Sequence, residues 1–165
     1  MSTEKSTEKS TEIERKFLVD TARWSPRDAG TVFRQGYLSS HAERVVRVRL
    51  EGDRAKLTIK GPTRGVTRTE VEYDIPREDA DRLLELCEQP LIEKTRYVEE
   101  HGGLTWEIDV FQGANAGLVV AEVELTSEDQ PVTKPAWATV EVSDDPRYYN
   151  ANLIHEPYSR WNPDS

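Results

Sequence analysis

The sequence predicts an α+β protein built mainly from an antiparallel sheet that closes into an eight-stranded barrel. Two observations support this fold class. Eight or nine segments alternate polar and apolar residues with a period of two, and only one segment has convincing helical spacing. The predicted strands follow one another mostly as hairpins, and a sheet of this size can close on itself.

The first half of the chain is predicted to form five strands. Residues 2–11 repeat Ser, Thr, Glu and Lys without an apolar residue, so we expect 1–11 to be a disordered leader and 12–165 to be a single domain. Asp20 is placed to cap a short helical turn, and Gly52 with Asp53 forms a tight turn. The five strands are expected at residues 12–19, 32–39, 44–51, 55–60 and 67–75.

The second half contains the predicted helix and the remaining strands. Pro76 suits a helix start, and Pro90 ends the element, so we expect a helix over 77–88. Its apolar stripe consists of Ala80, Leu83, Leu84 and Cys87. Further strands are expected at residues 91–99, 104–111, 118–126 and 137–142, and the tail has length enough for one more short helix.

Composition restricts the class of protein and of partner. Charged residues make up 32% of the 165 residues, and the formal net charge of −9 disfavours non-specific binding to nucleic acid or anionic membranes. The single cysteine excludes an intrachain disulfide and a cysteine-rich metal site. No apolar run has membrane-spanning length and no signal-peptide core is present, so we expect a cytoplasmic protein.

The polar faces of the predicted strands carry charges sorted by sign. Residues at i and i+2 share a face and lie about 6.6 Å apart, so a pair of like charges repels itself. The acidic pairs are Glu12 with Glu14, Glu70 with Glu72, Glu107 with Asp109, and Glu122 with Glu124. The basic pairs are Arg47 with Arg49 and Lys94 with Arg96, and Lys56 and Lys60 share one face with Thr58 between them.

Sorted charges favour a ligand-binding interior over a solvent face. For any single strand, the simplest interpretation of the charged face is the solvent-exposed face of an ordinary antiparallel sheet. A solvent-exposed face, however, gains no stability when charges are sorted by sign. Clustered carboxylates suit Mg²⁺ or Mn²⁺, and clustered arginine and lysine suit phosphate oxygens. The two sets together favour a barrel whose charged, water-filled interior binds a metal–polyphosphate complex.

An ordered series of motifs resembles the CYTH superfamily, the triphosphate tunnel metalloenzymes. Glu12-Ile-Glu14-Arg-Lys16 matches the ExExK signature, and the resemblance covers nearly the whole chain after the leader. It runs through Arg47-Val-Arg49, Leu57-Thr-Ile-Lys-Gly61, Glu70-Val-Glu72, Lys94-Thr-Arg96, Trp106-Glu-Ile-Asp-Val-Phe111, Ala121-Glu-Val-Glu-Leu125 and Tyr148-Tyr-Asn150.

The resemblance implies a metal-dependent hydrolase of triphosphates, and it is greatest to short bacterial inorganic triphosphatases, which cleave tripolyphosphate to diphosphate and phosphate. It implies metal ligands at Glu12, Glu14, Asp109, Glu122 and Glu124, with Glu107 adjacent to them. It implies phosphate contacts at Lys16, Arg47, Arg49, Lys60, Lys94 and Arg96.

The mechanism expected from these roles is in-line attack of a metal-positioned water on a terminal phosphorus. Glu70 and Glu72 are candidates to accept the water's proton or to hold a second metal ion, and a structural salt bridge is the alternative for both. Lys16 is the candidate to stabilise or protonate the leaving diphosphate.

Two other functions remain open at this stage. One is a class IV-type adenylate cyclase or a nucleoside or thiamine triphosphatase, which would use the same metal and phosphate groups. The other is a non-catalytic polyphosphate-binding module, although anion binding alone needs only the basic residues. We expect a small-molecule triphosphate as the partner, no nucleic acid, no membrane, and a monomer or homodimer.

Overall fold

The computed structural model describes residues 11–161, and the strands in this range form one antiparallel sheet of nine. Strand β1 begins at Thr11, a residue that the sequence assigned to the leader, and residues 1–10 lie outside the described range. The division into leader and single domain therefore stays a prediction. The strands are β1 (Thr11–Val19), β2 (Thr31–Ser39), β3 (Val45–Glu51), β4 (Arg54–Lys60), β5 (Thr67–Ile75), β6 (Ile92–His101), β7 (Leu104–Phe111), β8 (Val119–Glu124) and β9 (Ala138–Glu141).

Eight of these strands close into a barrel, which confirms the predicted fold. Their order is β5-β4-β3-β2-β6-β7-β8-β1, and β1 pairs with β5 to complete the ring. Consecutive strands joined by short loops are neighbours in most cases, as the hairpin order predicted. Closure leaves two faces, one turned into the barrel and one turned outward.

Strand β1 has two partners along one of its edges. Residues 11–13 pair with β5, whereas Phe17 and Val19 pair with β9. The opposite edge pairs with β8 from Glu14 to Leu18. Strand β9 therefore pairs with the part of this edge of β1 that lies beyond β5. It is outside the ring of eight strands and extends the sheet beside β1.

Helix α1 (Arg77–Leu86) packs on the outside of the barrel, chiefly against β2, β3 and β4. Its predicted apolar stripe is confirmed, with Ala80 and Leu84 buried. The helix is shorter than predicted because Cys87 is already extended. A Cβ on Gly36 of β2 would lie 2.7 Å from the Cβ of Cys87, so this glycine permits the close approach of the segment after the helix.

Apolar residues pack on the outer side of the barrel, as the alternation predicted, and a further apolar cluster lies inside it at one end. One cluster surrounds Trp106, whose ring meets Trp137 edge to face at a centroid distance of 5.7 Å. This second cluster joins Tyr148 and Leu153 of the tail to Tyr37, a residue that also lines the barrel interior. The tail forms the short helix α2 (Asn150–Leu153), as expected. Among residues 11–161, no helix is long and apolar enough to cross a bilayer.

Candidate functional site

The charged faces of the strands turn inward and line one cavity of about 510 Å³. The alternation within each strand is the cause, because every second side chain points into the barrel. Of the residues that the sequence proposed for the site, all except Asp109 line this cavity. The lining residues are Glu12, Glu14, Lys16, Arg47, Arg49, Lys60, Glu70, Glu72, Lys94, Arg96, Glu107, Glu122 and Glu124.

An acidic wall forms where β1 meets β8. Register places Glu14 opposite Glu124 and Lys16 opposite Glu122. Burial raises the pKa of Glu14 well above 4.5, and repulsion from Glu122 and Glu12 raises it further. Burial also raises the pKa of Glu122, but the Lys16 ammonium at 3.5 Å and the cations of β6 outweigh this effect and hold that pKa well below 4.5.

Glu12 and Glu70 face each other across the junction of β1 and β5, with Lys60 between them. The Lys60 ammonium lies 2.7 Å from the Glu12 carboxylate and 3.5 Å from that of Glu70. Despite burial, Lys60 and a hydrogen bond with Glu70 lower the pKa of Glu12 to about 2. Burial and the neighbouring Glu12 raise the pKa of Glu70 to about 7. Glu70 therefore gains and loses its proton near neutral pH.

A basic wall forms on β3 and β4. Arg47 donates to the hydroxyl of Thr58 at 3.2 Å, and Thr58 donates to Glu72 at 2.9 Å. Glu72 also pairs with Arg47 at 3.7 Å and with Lys56 at 3.3 Å. Burial raises the pKa of Glu72, and the Thr58 hydrogen bond with nearby cations brings it below 4.5.

Asp109 is fully buried beneath the cavity lining, between two basic side chains of β6. Its carboxylate accepts from Lys94 at 2.7 Å and from Arg96 at 2.7 and 2.9 Å. Burial raises the pKa of Asp109, but Arg96 and Lys94 bring it below its ordinary value. Burial lowers the pKa of Lys94 to about 8 despite the Asp109 charge. Both carboxylate oxygens are thus engaged by cations.

Glu107 lies beside this group on β7. Its carboxylate accepts from Arg96 at 3.1 Å, and register places it opposite Glu122. Burial raises the pKa of Glu107, and the attraction of Arg96 opposes that effect. Arg96 is therefore shared between the buried Asp109 and the cavity-facing Glu107.

The tail contributes polar groups that sequence reasoning missed. Asn150 of α2 accepts from Lys94 at 3.1 Å and from Gln35 at 3.2 Å. The carbonyl oxygen of Tyr148 accepts from Lys16 at 3.0 Å. Tyr37 also lines the cavity from β2. For the tail, the only sequence signal of a role in the site was the Tyr148-Tyr-Asn150 motif. Its local pattern gives no indication that these residues reach the barrel interior.

Loops surround the cavity at one end of the barrel. Residues 40–43 lie in the connection from β2 to β3, residues 62–66 lie in the connection from β4 to β5, and residues 149–152 belong to the tail; members of all three segments line the cavity. This end carries the longer connections, whereas Gly52 with Asp53 and Gly102 with Gly103 make tight turns at the other end.

Most acidic side chains of the cavity are paired with cations. Within residues 11–161, no three acidic, histidine or cysteine side chains stand close enough together to form a ready-made metal site. The carboxylate oxygens nevertheless make a donor set suited to a hard cation. Glu122 and Glu12 add to burial in raising the pKa of Glu14, and a bound cation would relieve that repulsion. The residues present therefore fit a divalent metal ion.

Comparison with known proteins agrees with this geometry. The family model of the CYTH domain matches residues 10–150. An inorganic triphosphatase of Acetivibrio thermocellus is 46% identical over 151 residues, which cover 91% of this chain and 97% of that protein. An inorganic triphosphatase of Nitrosomonas europaea is 38% identical over 147 residues, which cover 87% of this chain and 96% of that protein. A crystal structure of an inorganic triphosphatase shares 35% identity and a TM-score of 0.62, covering 87% of this chain and 93% of that one. The chain belongs to the CYTH domain family.

Proposed function

We propose that this protein hydrolyses inorganic tripolyphosphate to diphosphate and phosphate with the help of a divalent cation. The observation that carries the proposal is that an acidic wall and a basic wall line the same cavity. A phosphate chain with a bound cation offers positive charge to the acidic wall and negative charge to the basic wall. The two inorganic triphosphatases, each matched over most of its length, support the same reaction.

Mg²⁺ or Mn²⁺ would be held by the acidic wall. Glu12, Glu14, Glu122 and Glu124 are the proposed ligands, and Glu107 lies close enough to contribute to the same wall. Asp109 stays a predicted ligand, but its contacts favour a different role, since it holds Lys94 and Arg96 in place. When bound, the cation would lower the pKa of the attacking water and neutralise phosphate charge.

The basic side chains bind and orient the phosphate chain. Arginine offers two parallel donors to a phosphate group, whereas lysine acts as a compact point charge. Holding the terminal phosphorus in line with the attacking water is the main contribution of such a site to phosphoryl transfer. The proposed phosphate contacts are Lys16, Arg47, Arg49, Lys60, Lys94 and Arg96.

Proton transfer would involve Glu70 and Lys16. Glu70 has a pKa of about 7, which suits a group that takes a proton from the attacking water near neutral pH. Lys16 lies next to Glu122 and can stabilise or protonate the oxygen of the leaving diphosphate. Glu72, tied to Thr58 and to cations of the basic wall, is better suited to orienting Arg47.

Phosphate release from tripolyphosphate with Mg²⁺, with Mn²⁺ and with a chelator tests the proposal. We expect turnover with either metal and none with the chelator, and loss of turnover in Glu14→Ala and Arg49→Ala. Cyclic nucleotide formed from ATP, or faster hydrolysis of ATP or thiamine triphosphate, would favour the second enzymatic function. Tight binding of tripolyphosphate without turnover would indicate a binding module.

The remaining sequence-based expectations stay predictions. These are the cytoplasmic location, the monomeric or homodimeric state, and the lack of nucleic-acid and membrane partners.

A further inference from the structure

Strand β2 differs from its neighbours on the inner side of the barrel. Its inward residues are Phe33, Gln35 and Tyr37, whereas every other strand of the ring, within the described part of the chain, presents at least one charged residue inward. Phe33 is only 5% exposed, and register places it opposite Lys94 of β6 and Glu51 of β3. Phe33 belongs to none of the apolar clusters of the described residues, so its burial requires an explanation other than apolar packing.

The ring of Phe33 lies under two guanidinium groups. The Cζ atom of Arg96 is 4.6 Å from the ring centroid, and that of Arg49 is 4.9 Å from it. The Lys94 ammonium is farther away, at 5.9 Å. These distances are within the range of cation–π attraction, which is stronger when the partners are shielded from water.

The two guanidinium groups are buried close together and repel each other. Burial, together with the charges of Arg47 and Arg96, lowers the pKa of Arg49 to about 10. Arg96 pairs with Asp109 and Glu107, and Arg49 pairs with Glu51 at 2.5 Å. The buried Nε of Arg49 has no hydrogen-bond partner in the described part of the chain.

An aromatic ring attracts a cation without using its hydrogen-bond donors. The N–H groups of guanidinium point outward in the plane of the group, whereas the ring interacts through its π face. A carboxylate at the same position would occupy the donors and cancel the charge that a phosphate needs. An aromatic ring can therefore hold both cations without taking any of the donors that Asp109, Glu107 and Glu51 leave available.

We propose that Phe33 is a positioning residue that holds Arg49 and Arg96 oriented for the oxygens of the bound phosphate chain. The inference rests on the proposed function, because it assigns these arginines to tripolyphosphate. It adds an uncharged residue, from the one strand without an inward charge, to the machinery of the site.

Graded fluorination of the Phe33 ring tests the inference with little change in side-chain size. Phenylalanine analogues with one, two and five fluorine atoms weaken the π face stepwise. We expect the affinity for tripolyphosphate, measured by calorimetry in a chelator, to fall stepwise and to reach a loss of about three- to tenfold. With Mg²⁺ present, we expect KM to rise in the same order while the melting temperature stays nearly constant.

Phe17 provides a matched control. It is 1% exposed and also lies under cations, Arg15 at 5.4 Å and Lys134 at 5.5 Å, but its ring packs in the outer cluster with Trp106. The same fluorinated series at position 17 is expected to leave tripolyphosphate affinity unchanged. In an Arg49→Ala background, the effect of fluorination at position 33 is expected to shrink, because one of its two partners is gone.

Equal affinity across the Phe33 series, or no measurable binding by the unsubstituted protein, would overturn the inference. Its failure is distinguishable from failure of the proposed function. Graded binding without hydrolysis would reject the triphosphatase activity and keep the role of Phe33, whereas hydrolysis with a flat series would do the reverse.

Discussion

The ammonium of Lys60 lies 2.7 Å from the carboxylate of Glu12, so a proposed phosphate contact and a proposed metal ligand neutralise each other. Burial lowers the pKa of Lys60, but Glu12, together with Glu14 and Glu70, outweighs that effect and raises it above 10.5. Binding of a cation-bearing phosphate chain would replace this contact with two others, one from Glu12 to the metal and one from Lys60 to phosphate. The walls of the cavity are thus paired with each other until the substrate separates them.

Replacing Glu12 with glutamine tests this exchange of partners. Glu12→Gln removes the charge that would bind the metal and leaves Lys60 in place. We expect kcat/KM for tripolyphosphate to fall about 100-fold or more, and the Mg²⁺ concentration for half-maximal rate to rise. The measurement is phosphate release over a range of Mg²⁺ concentrations.

Glu93→Gln is the matched control, since Glu93 lies on the outside of β6 in a half-exposed ion pair with Arg34 at 3.6 Å. It removes the same charge, and its activity is expected to match that of the unsubstituted protein. An unchanged Mg²⁺ requirement in Glu12→Gln would exclude Glu12 as a ligand.

Replacing Glu14 with glutamine is expected to stabilise the metal-free protein while abolishing its activity. The folded-state pKa of Glu14 is raised well above 4.5, so above that pH the folded protein retains a proton that the unfolded chain releases. The free energy of unfolding therefore decreases as the pH rises above 4.5 toward the folded pKa. Glu14→Gln removes this dependence.

Melting temperatures measured from pH 5 to pH 9 in a chelator check this expectation. The variant should melt higher than the unsubstituted protein at pH 8, with a flatter pH dependence. Added Mg²⁺ should raise the melting temperature of the unsubstituted protein more than that of the variant. A variant that melts lower at every pH would contradict the expectation that the buried Glu14 carboxylate destabilises the metal-free protein.

The alternation of polar and apolar residues along the strands predicted most of the barrel and its charged interior. The i, i+2 spacing of Glu12, Glu14 and Lys16 places all three in the cavity, because side chains on a strand have no other periodicity available. The ends of elements were less predictable. Helix α1 stops at Leu86, where the chain turns back to meet Gly36, and this contact is tertiary.

Side-chain partners within the site depend on register, which single strands do not encode. Arg96 reaches Asp109 because the β6–β7 pairing sets these two residues opposite each other. Asn150 reaches Lys94 only because the tail folds back over the barrel. Nothing in the local pattern of β2 indicates that Phe33 faces inward or that two arginines lie over its ring.

Replacing Asp109 with asparagine separates a structural role from a metal-binding role. The variant leaves the buried Lys94 and Arg96 charges without their shared partner, which typically costs about 3 kcal/mol of folding free energy. For a chain of this size, we expect a drop in melting temperature of about 6–12 °C. If Asp109 acts through the two cations, KM for tripolyphosphate rises while the Mg²⁺ requirement stays the same.

The Mg²⁺ titration of Asp109→Asn decides between the two roles. A shift as large as that of Glu12→Gln would show that Asp109 binds metal after its oxygens are released from Arg96. A loss of stability with an unchanged titration would leave it as the residue that positions Lys94 and Arg96.

The pH dependence of kcat/KM distinguishes Glu70 from Glu72 as the proton acceptor. A general base must be ionised, and the pKa of Glu70 is raised to about 7, so the rate should increase with pH up to about that value. A bound cation favours the carboxylate and lowers this pKa, so the acid limb should lie at or below pH 7. The pKa of Glu72 is lowered, so its ionisation cannot produce a limb near neutrality.

Glu70→Gln and Glu72→Gln form a matched pair on one strand, with the same change in charge and size. We expect Glu70→Gln to lower kcat/KM about 100-fold and to abolish the acid limb, because no ionisable acceptor then remains at that position. Glu72→Gln should weaken tripolyphosphate binding by loosening Arg47, and it should keep the limb. Initial rates from pH 5 to pH 9 at saturating Mg²⁺ provide the measurement. If Glu72→Gln loses the limb and Glu70→Gln retains it, the two assignments must be exchanged, and a limb that survives in both variants would place the proton acceptor elsewhere in the cavity.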